Sequence, residues 1–303
     1  MKILITGATG FIGTHLCRKL VTGNHEIMAI SRTCHFHTNM SANEELTSRI
    51  NWVSSSLLLS PENIAKVADF GPEVLIHLAW DKIPDFSYEV SFENLYSQLN
   101  FFKKILEVPT IRKVIAAGSC WEYNKSFGEC RTDDRVVSKD YFTWAKNTIH
   151  DFLRFECTTN NISLCWARIF YVYGPDQREG SLIPTLIRTM RSGSVPELRS
   201  PANANDFIYV DDVVSAFEQM ILMPAEGVYN IGSGHAISVL DICRLVESGL
   251  SGKETLTAEL AKRTENTASS SDFWADMVST QASLKWKPAL TMKEGIDRMI
   301  QFM

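Results

Sequence analysis

Short runs rich in Val, Ile and Leu alternate with longer amphipathic stretches through the first half of the chain. Residues 2–6, 25–30, 51–54, 74–79, 113–117 and 163–170 are short, apolar and bounded by turn formers, the pattern of buried strands. Between them, residues 11–21, 61–70, 89–108 and 142–159 carry apolar positions at helical spacing. Such alternation predicts an α/β fold, a doubly wound parallel sheet covered by helices on both faces. After Gly174 and Pro175 the rhythm loosens. Helices are expected over 181–191, 211–223, 238–249 and 292–300, strands over 207–210 and 228–231, and polar connections over 192–205 and 261–272. The expected division is a Rossmann-type dinucleotide-binding domain over 1–174, with 206–234 returning to it, and a smaller, mainly substrate-binding lobe over 175–303.

The first strand runs straight into Gly7, Ala8, Thr9, Gly10, Phe11, Ile12 and Gly13, which open a helix. Gly7 permits the tight turn, Gly10 admits a pyrophosphate to the backbone N–H groups, and Gly13 lets helix and strand pack closely. The helix N-terminus adds partial positive charge. A nicotinamide dinucleotide is the expected ligand. Its kind is read from the end of the second strand, where an NAD site usually carries Asp or Glu against the ribose hydroxyls. Here Ser31, Arg32 and Thr33 follow Ile30. Two hydroxyls and a planar cation suit a 2′-phosphate, so NADP(H) is expected.

The chain has 303 residues, 45% of them hydrophobic, and a net charge of −5. That is enough for a sizeable core and argues against nucleic acid or an anionic membrane surface as main partner. Seven cysteines without a C-x-x-C pair fit reduced thiols in a cytoplasmic protein. His35 and His37 flank Phe36 but lack a third residue at ligand-like spacing, so no metal is expected. The N-terminus does not read as a signal peptide, and no run approaches the ~20 apolar residues of a membrane span.

Taken together, these segments resemble the extended short-chain dehydrogenase/reductases, of the NAD-dependent epimerase/dehydratase kind that act on nucleotide sugars. The likeness runs nearly end to end. The glycine loop matches, as does His77-Leu78-Ala79 at the fourth strand. Ser119-Cys120-Trp121-Glu122-Tyr123 resembles S-x-x-x-Y, and the run from Arg168 to Pro175 resembles R-x-x-N-V-Y-G-P. The run from Asp206 to Asp212, then Tyr229 to Gly234 and Leu284 to Pro288, resemble R-D-F-I-Y-V-D-D, Y-N-I-G-S-G and L-G-W-x-P. The resemblance implies that Leu78 and Ala79 lie beside the cofactor, that Ser119 bonds the substrate oxygen, and that Lys146 holds the ribose and lowers the pKa of a tyrosine four residues before it.

That tyrosine is missing: position 142 is Phe, with Tyr141 beside it. A shift of one residue turns a side chain by about 100° on a helix. Four readings stand. Tyr141 reaches the site from a helix-start conformation; Phe142 replaces a Tyr and traps a ligand; another acid among Tyr123, Glu122 and Tyr171 serves; or the chain binds without turnover. Tyr171 stands where the family carries Asn, and Asn205 where it carries Arg. Trp121, Tyr171, Arg199 and Arg263 are expected to line the substrate, the two arginines on its phosphates.

The family's dehydratases carry Asp-Glu right after the hydroxyl residue, where this chain has Cys120 and Trp121. The family's GDP-fucose-forming epimerase-reductases place a Cys where Trp121 stands. Both chemistries are therefore disfavoured. The expected activity is NADPH-dependent reduction of the 4-keto group of a nucleotide-linked 4-keto-6-deoxyhexose. A nucleotide-sugar 4-epimerase and a non-catalytic NADP(H) binder are the alternatives. Relatives pair through two long helices, here 89–108 and 142–159, so a homodimer is expected.

Overall fold

A computed structural model describes residues 1–36, 42–263, 269 and 271–303. His37 and part of the 261–272 connection lie outside the described residues. The first half runs β1 (Lys2–Thr6), α1 (Phe11–Thr22), β2 (Glu26–Ser31), α2 (Ala42–Ser48), β3 (Ile50–Ser54), α3 (Pro61–Phe70), β4 (Val74–His77), α4 (Tyr88–Ile105), β5 (Lys113–Ser119), β6 (Phe127–Cys130) and α5 (Tyr141–Thr159). Then follow β7 (Ser163–Ile169), β8 (Tyr171–Tyr173), α6 (Leu182–Arg191), β9 (Ala204–Tyr209), α7 (Val210–Leu222), β10 (Gly227–Ile231) and β11 (Ala236–Ser238). The chain closes with α8 (Val239–Ser251), α9 (Thr255–Arg263), β12 (Asp272–Ala275), α10 (Val278–Leu284) and α11 (Met292–Phe302).

Seven strands form one parallel sheet in the order β10-β7-β5-β4-β1-β2-β3. Strand residues on both faces are buried, as a sheet covered on both sides requires. Ile3, Ile5, Ile76 and Ile115 pack with Leu16 and Leu20 of α1 and with Val213 and Phe217 of α7. Leu4, Leu75, Val114 and Trp166 point the other way, onto Phe101 and Phe102 of α4 and Ile149 and Leu153 of α5. The strand order reverses between β1 and β4, so the ends of these strands open a crevice.

A second sheet, β11-β9-β12-β6, lies beside the first, with β8 pairing β9. Three sequence expectations change here. The strand expected over 207–210 begins at Ala204 and belongs to this second sheet, while α7 packs on the large sheet and β10 joins it. The connection expected over 261–272 ends by starting β12 at Asp272, which pairs in parallel with β6. β6 itself went unread, because four residues with two glycine or charged members give no usable alternation.

Candidate active site

At the crevice the chain turns on Gly7, whose φ of +75° is open to glycine at little cost. A Cβ there would lie 2.7 Å from the Ala79 nitrogen and the Leu78 carbonyl carbon, so the loop presses directly on the end of β4. A Cβ on Gly13 would lie 2.1 Å from the Gly7 oxygen, which ties α1 to the loop at backbone distance. Gly10 is the N-cap of α1 and offers no side-chain cap, so the first N–H groups of the helix, at Phe11 and Ile12, face the loop uncapped. A glycine cradle under an uncapped helix start fits a pyrophosphate. Thr9 Oγ1 and Ser31 Oγ lie 3.2 Å apart and close the loop against β2. Arg32 follows, its guanidinium bound by the Asp81 carboxylate at 2.8 and 3.0 Å. Below the loop, His77 is buried between Thr6 Oγ1 (2.8 Å) and Gln98 Oε1 (2.9 Å). Burial pulls its pKa down to about 3, so it is neutral and structural.

Ser119 ends β5, where its Oγ accepts the Trp121 N–H at 3.2 Å. It is thus both a turn cap and a hydroxyl at the mouth of the crevice. Lys146, on the first turns of α5, is buried and donates to the Ala117 oxygen at 2.9 Å. Its Nζ sits 4.4 Å over the Trp80 ring and 6.0 Å from the Phe142 ring centre. Burial lowers its pKa to about 8, partly offset by the Glu122 carboxylate. Phe142 is 7% exposed and packed edge-on against Trp80 at 4.9 Å, with Phe86 at 4.8 Å. Trp121 completes this wall and donates from Nε1 to the Tyr171 hydroxyl at 3.1 Å. Tyr171 in turn packs on Phe207 of β9.

Residues 3–232 match the NAD dependent epimerase/dehydratase family. The chain belongs to it. A dTDP-4-dehydro-6-deoxyglucose reductase of Escherichia coli is 27% identical over 318 residues, covering 99% of this chain and 96% of the relative. Among solved structures, UDP-glucose 4-epimerase of Thermotoga maritima has a TM-score of 0.82 at 20% identity, covering 100% of this chain and 98% of that one. UDP-glucuronic acid 4-epimerase of Bacillus cereus, in complex with NAD, has a TM-score of 0.82 at 23% identity, with 100% and 96% covered.

In this epimerase/dehydratase chain the Phe142 ring lies 6.0 Å from Lys146 Nζ and meets Trp121, whose backbone N–H is capped by Ser119. Tyr141 does not join them. It is 53% exposed and meets Tyr88 edge-on at 5.2 Å, because one residue along the helix points away from Lys146. A hollow of about 710 Å³ is lined by Tyr141 with Tyr88, Ser138, Lys139, Asp140 and Trp144, and by none of Ser119, Phe142 and Lys146. The other acids considered are also committed. Glu122 is fully buried, accepting from Arg168 Nε (2.9 Å), Trp166 Nε1 (2.9 Å) and the Ser119 nitrogen (2.7 Å). Tyr123 donates to Asn230 Oδ1, and burial drives its pKa well up. Burial pushes the Tyr171 phenol up to about 12. Arg263 ion-pairs with Glu259 one helical turn earlier, and Arg199 is exposed on the connection to β9. Neither arginine is held toward the crevice by a contact among the described residues.

Sequence reasoning missed Trp80, Asp81 and Phe86, which sit on the β4–α4 connection. The signal was there in part: aromatic residues directly after a strand's end, at the mouth of a crevice, are lining candidates. Several motif residues are structural instead. Asp206 accepts from Ser233, Gly234 and Ala275 nitrogens, and Asp212 from Ala289 and Leu290 nitrogens. All seven cysteines are free, and no metal-binding cluster exists among the described residues. No helix among them is long and apolar enough to cross a membrane.

Proposed function

We propose that this chain reduces the 4-keto group of a nucleotide-linked 4-keto-6-deoxyhexose at the expense of NADPH. The observation that carries this reading is the surroundings of Ser119. Cys120 is buried, with burial driving its thiol pKa well up, Glu122 is locked to Arg168, and aromatic rings make the remaining wall. Dehydration and epimerisation beside a carbonyl need a base at a sugar carbon, and neither Cys120, buried as a thiol, nor Glu122, held by Arg168 and Trp166, is free to serve as one. Carbonyl reduction needs none. The similarity to a 4-keto-6-deoxyglucose reductase along both whole chains supports the same class. The aromatic wall suits the apolar face of a deoxygenated sugar.

In this reading the cofactor supplies hydride, and the protein supplies orientation and charge. The glycine cradle and the start of α1 bind the pyrophosphate, and Arg32 binds the 2′-phosphate. Ser119 has its oxygen occupied by the Trp121 N–H, which leaves its proton for the carbonyl oxygen. With Phe142 mute, the alkoxide draws its proton from the Lys146 ammonium, which spends one of three N–H bonds on Ala117.

The test is NADPH oxidation with dTDP- and CDP-4-keto-6-deoxyglucose. Consumption of one NADPH per sugar is expected. Interconversion of sugars without net consumption means an epimerase, and tight NADPH binding without either means a binder. Because the acid must be protonated, the rate should be flat at low pH and fall as pH rises through about 8. The same depressed pKa has a stability side. The folded chain binds fewer protons than the unfolded one between about 8 and 10.5. Stability from this group is therefore full above that window and lost as pH falls through it.

We also propose a homodimer. Tyr88, Phe92 and Tyr96 recur every fourth residue on α4 and are 45–54% exposed, beside Trp144 and Phe155 on α5. A stripe of large exposed aromatics on two packed helices fits a self-complementary face. Light scattering should give twice the chain mass, and Phe92→Asp with Phe155→Asp should give the monomer with its fold intact. A wild-type monomer at micromolar concentration removes this reading.

A further inference from the structure

The cation expected to hold the 2′-phosphate already has an anion. Asp81 binds the Arg32 guanidinium through both carboxylate oxygens, at 2.8 and 3.0 Å. The two come from different elements, the end of β2 and the β4–α4 connection. Asp81 is not loosely placed. Its nitrogen donates to Asn94 Oδ1 at 2.8 Å, its carbonyl accepts from Asn94 Nδ2 at 3.3 Å, and its Oδ1 accepts the Lys82 N–H at 3.0 Å. Asn94 is buried on α4. The backbone is thus clamped while the carboxylate reaches out to the cofactor rim.

The pair contributes little as a fold brace. Its side chains are 69% and 46% exposed, and exposed ion pairs add little to stability. Its placement matters more. Planar bidentate geometry is how a guanidinium holds carboxylate or phosphate, so the two anions compete for one fork.

We propose that Asp81 sets the cofactor preference by standing in for the 2′-phosphate on Arg32, so that an NADP-type ligand must displace it and an NAD-type ligand leaves it in place. This rests on Arg32 being the 2′-phosphate group. The consequence is a graded choice. With its own counter-ion, the chain accepts a ligand lacking the phosphate without stranding a cation, and it binds the phosphorylated one less tightly than Arg32 alone would allow. Removing a unit charge from beside a phosphate carrying about two should tighten that ligand by about tenfold at low salt.

Binding alone tests this, by calorimetry with 2′,5′-ADP against 5′-ADP and with NADPH against NADH. Asp81→Asn keeps an oxygen for the Lys82 N–H, and Asp81→Ser is the second variant. Both should tighten 2′,5′-ADP and NADPH by about tenfold and leave 5′-ADP and NADH within about twofold, with the gap closing at high salt. Equal changes for both ligand types overturn the proposal. If the wild type prefers 2′,5′-ADP, Arg32→Gln removes that preference, and the Asp81 variants change nothing, Asp81 has no such role while Arg32 stands. If wild type and Asp81 variants alike bind 2′,5′-ADP no better than 5′-ADP, the 2′-phosphate reading of Arg32 falls and takes this proposal with it.

Discussion

Phe142→Tyr is expected to raise the turnover number at least about tenfold, and up to the about 10²–10⁴ attributed to a well-placed general acid. The ring already sits in the right place, 6.0 Å from Lys146 Nζ and between Trp80 and Phe86. A phenol there would meet the Lys146 cation, which favours its ionised form and brings its pKa down toward working pH. The alkaline fall in rate should then shift, since the acid has changed. A cost is expected as well. The site is 7% exposed, and a hydroxyl that finds no partner without substrate loses about 1–3 kcal/mol of stability. Steady-state kinetics with NADPH and a 4-keto sugar, beside a urea melt, read both effects. An unchanged rate in a folded variant means that position 142 is not the proton slot.

The second large effect concerns stability. Glu122 and Arg168 form an ion pair whose side chains are 0% and 4% exposed, and Glu122 also accepts from Trp166 and the Ser119 backbone. Glu122→Gln leaves the Arg168 guanidinium buried beside a neutral amide. Breaking such a pair from one side costs about 3–5 kcal/mol. The midpoint of urea unfolding should fall accordingly, with the slope unchanged. Turnover should fall too, because the amide has one accepting oxygen to serve both the Ser119 N–H on one side and Arg168 and Trp166 on the other, and a fall in turnover with KM for NADPH unchanged separates that effect from general loosening. A loss under about 1 kcal/mol would show that the pair is not closed to water.

The large sheet was legible because its strands are short, doubly buried and separated by regular helices. All seven of its strands are bounded within two residues by the runs read at 2–6, 25–30, 51–54, 74–79, 113–117, 163–170 and 228–231. The glycine loop was legible because its roles are set by backbone distance. The second sheet was not, since β6, β11 and β12 have three or four residues each and are joined by pairing across the chain. In the site, Ser119, Phe142 and Lys146 were singled out by the family pattern the chain resembles, and Tyr141 is turned away from Lys146 by the helix's own geometry. The Glu122–Arg168 pair joins the turn after β5 to β7, and the Arg32–Asp81 pair joins the end of β2 to the connection after β4. No local pattern marks either one.

The pairing of β6 with β12 brings Phe127 against Asp272. Contacts so far apart in the chain close late, because the entropy of bringing the ends together precedes any gain from their contact. The units β1-α1-β2 and β4-α4-β5 need no such closure. A chain emerging from the ribosome therefore has the whole glycine loop, Arg32 and Asp81 in its first third, while β9, which carries Phe207, gets its β12 partner only from residues near the other end. On the proposed reading, the groups for the cofactor's phosphates are thus made before those of the substrate seat.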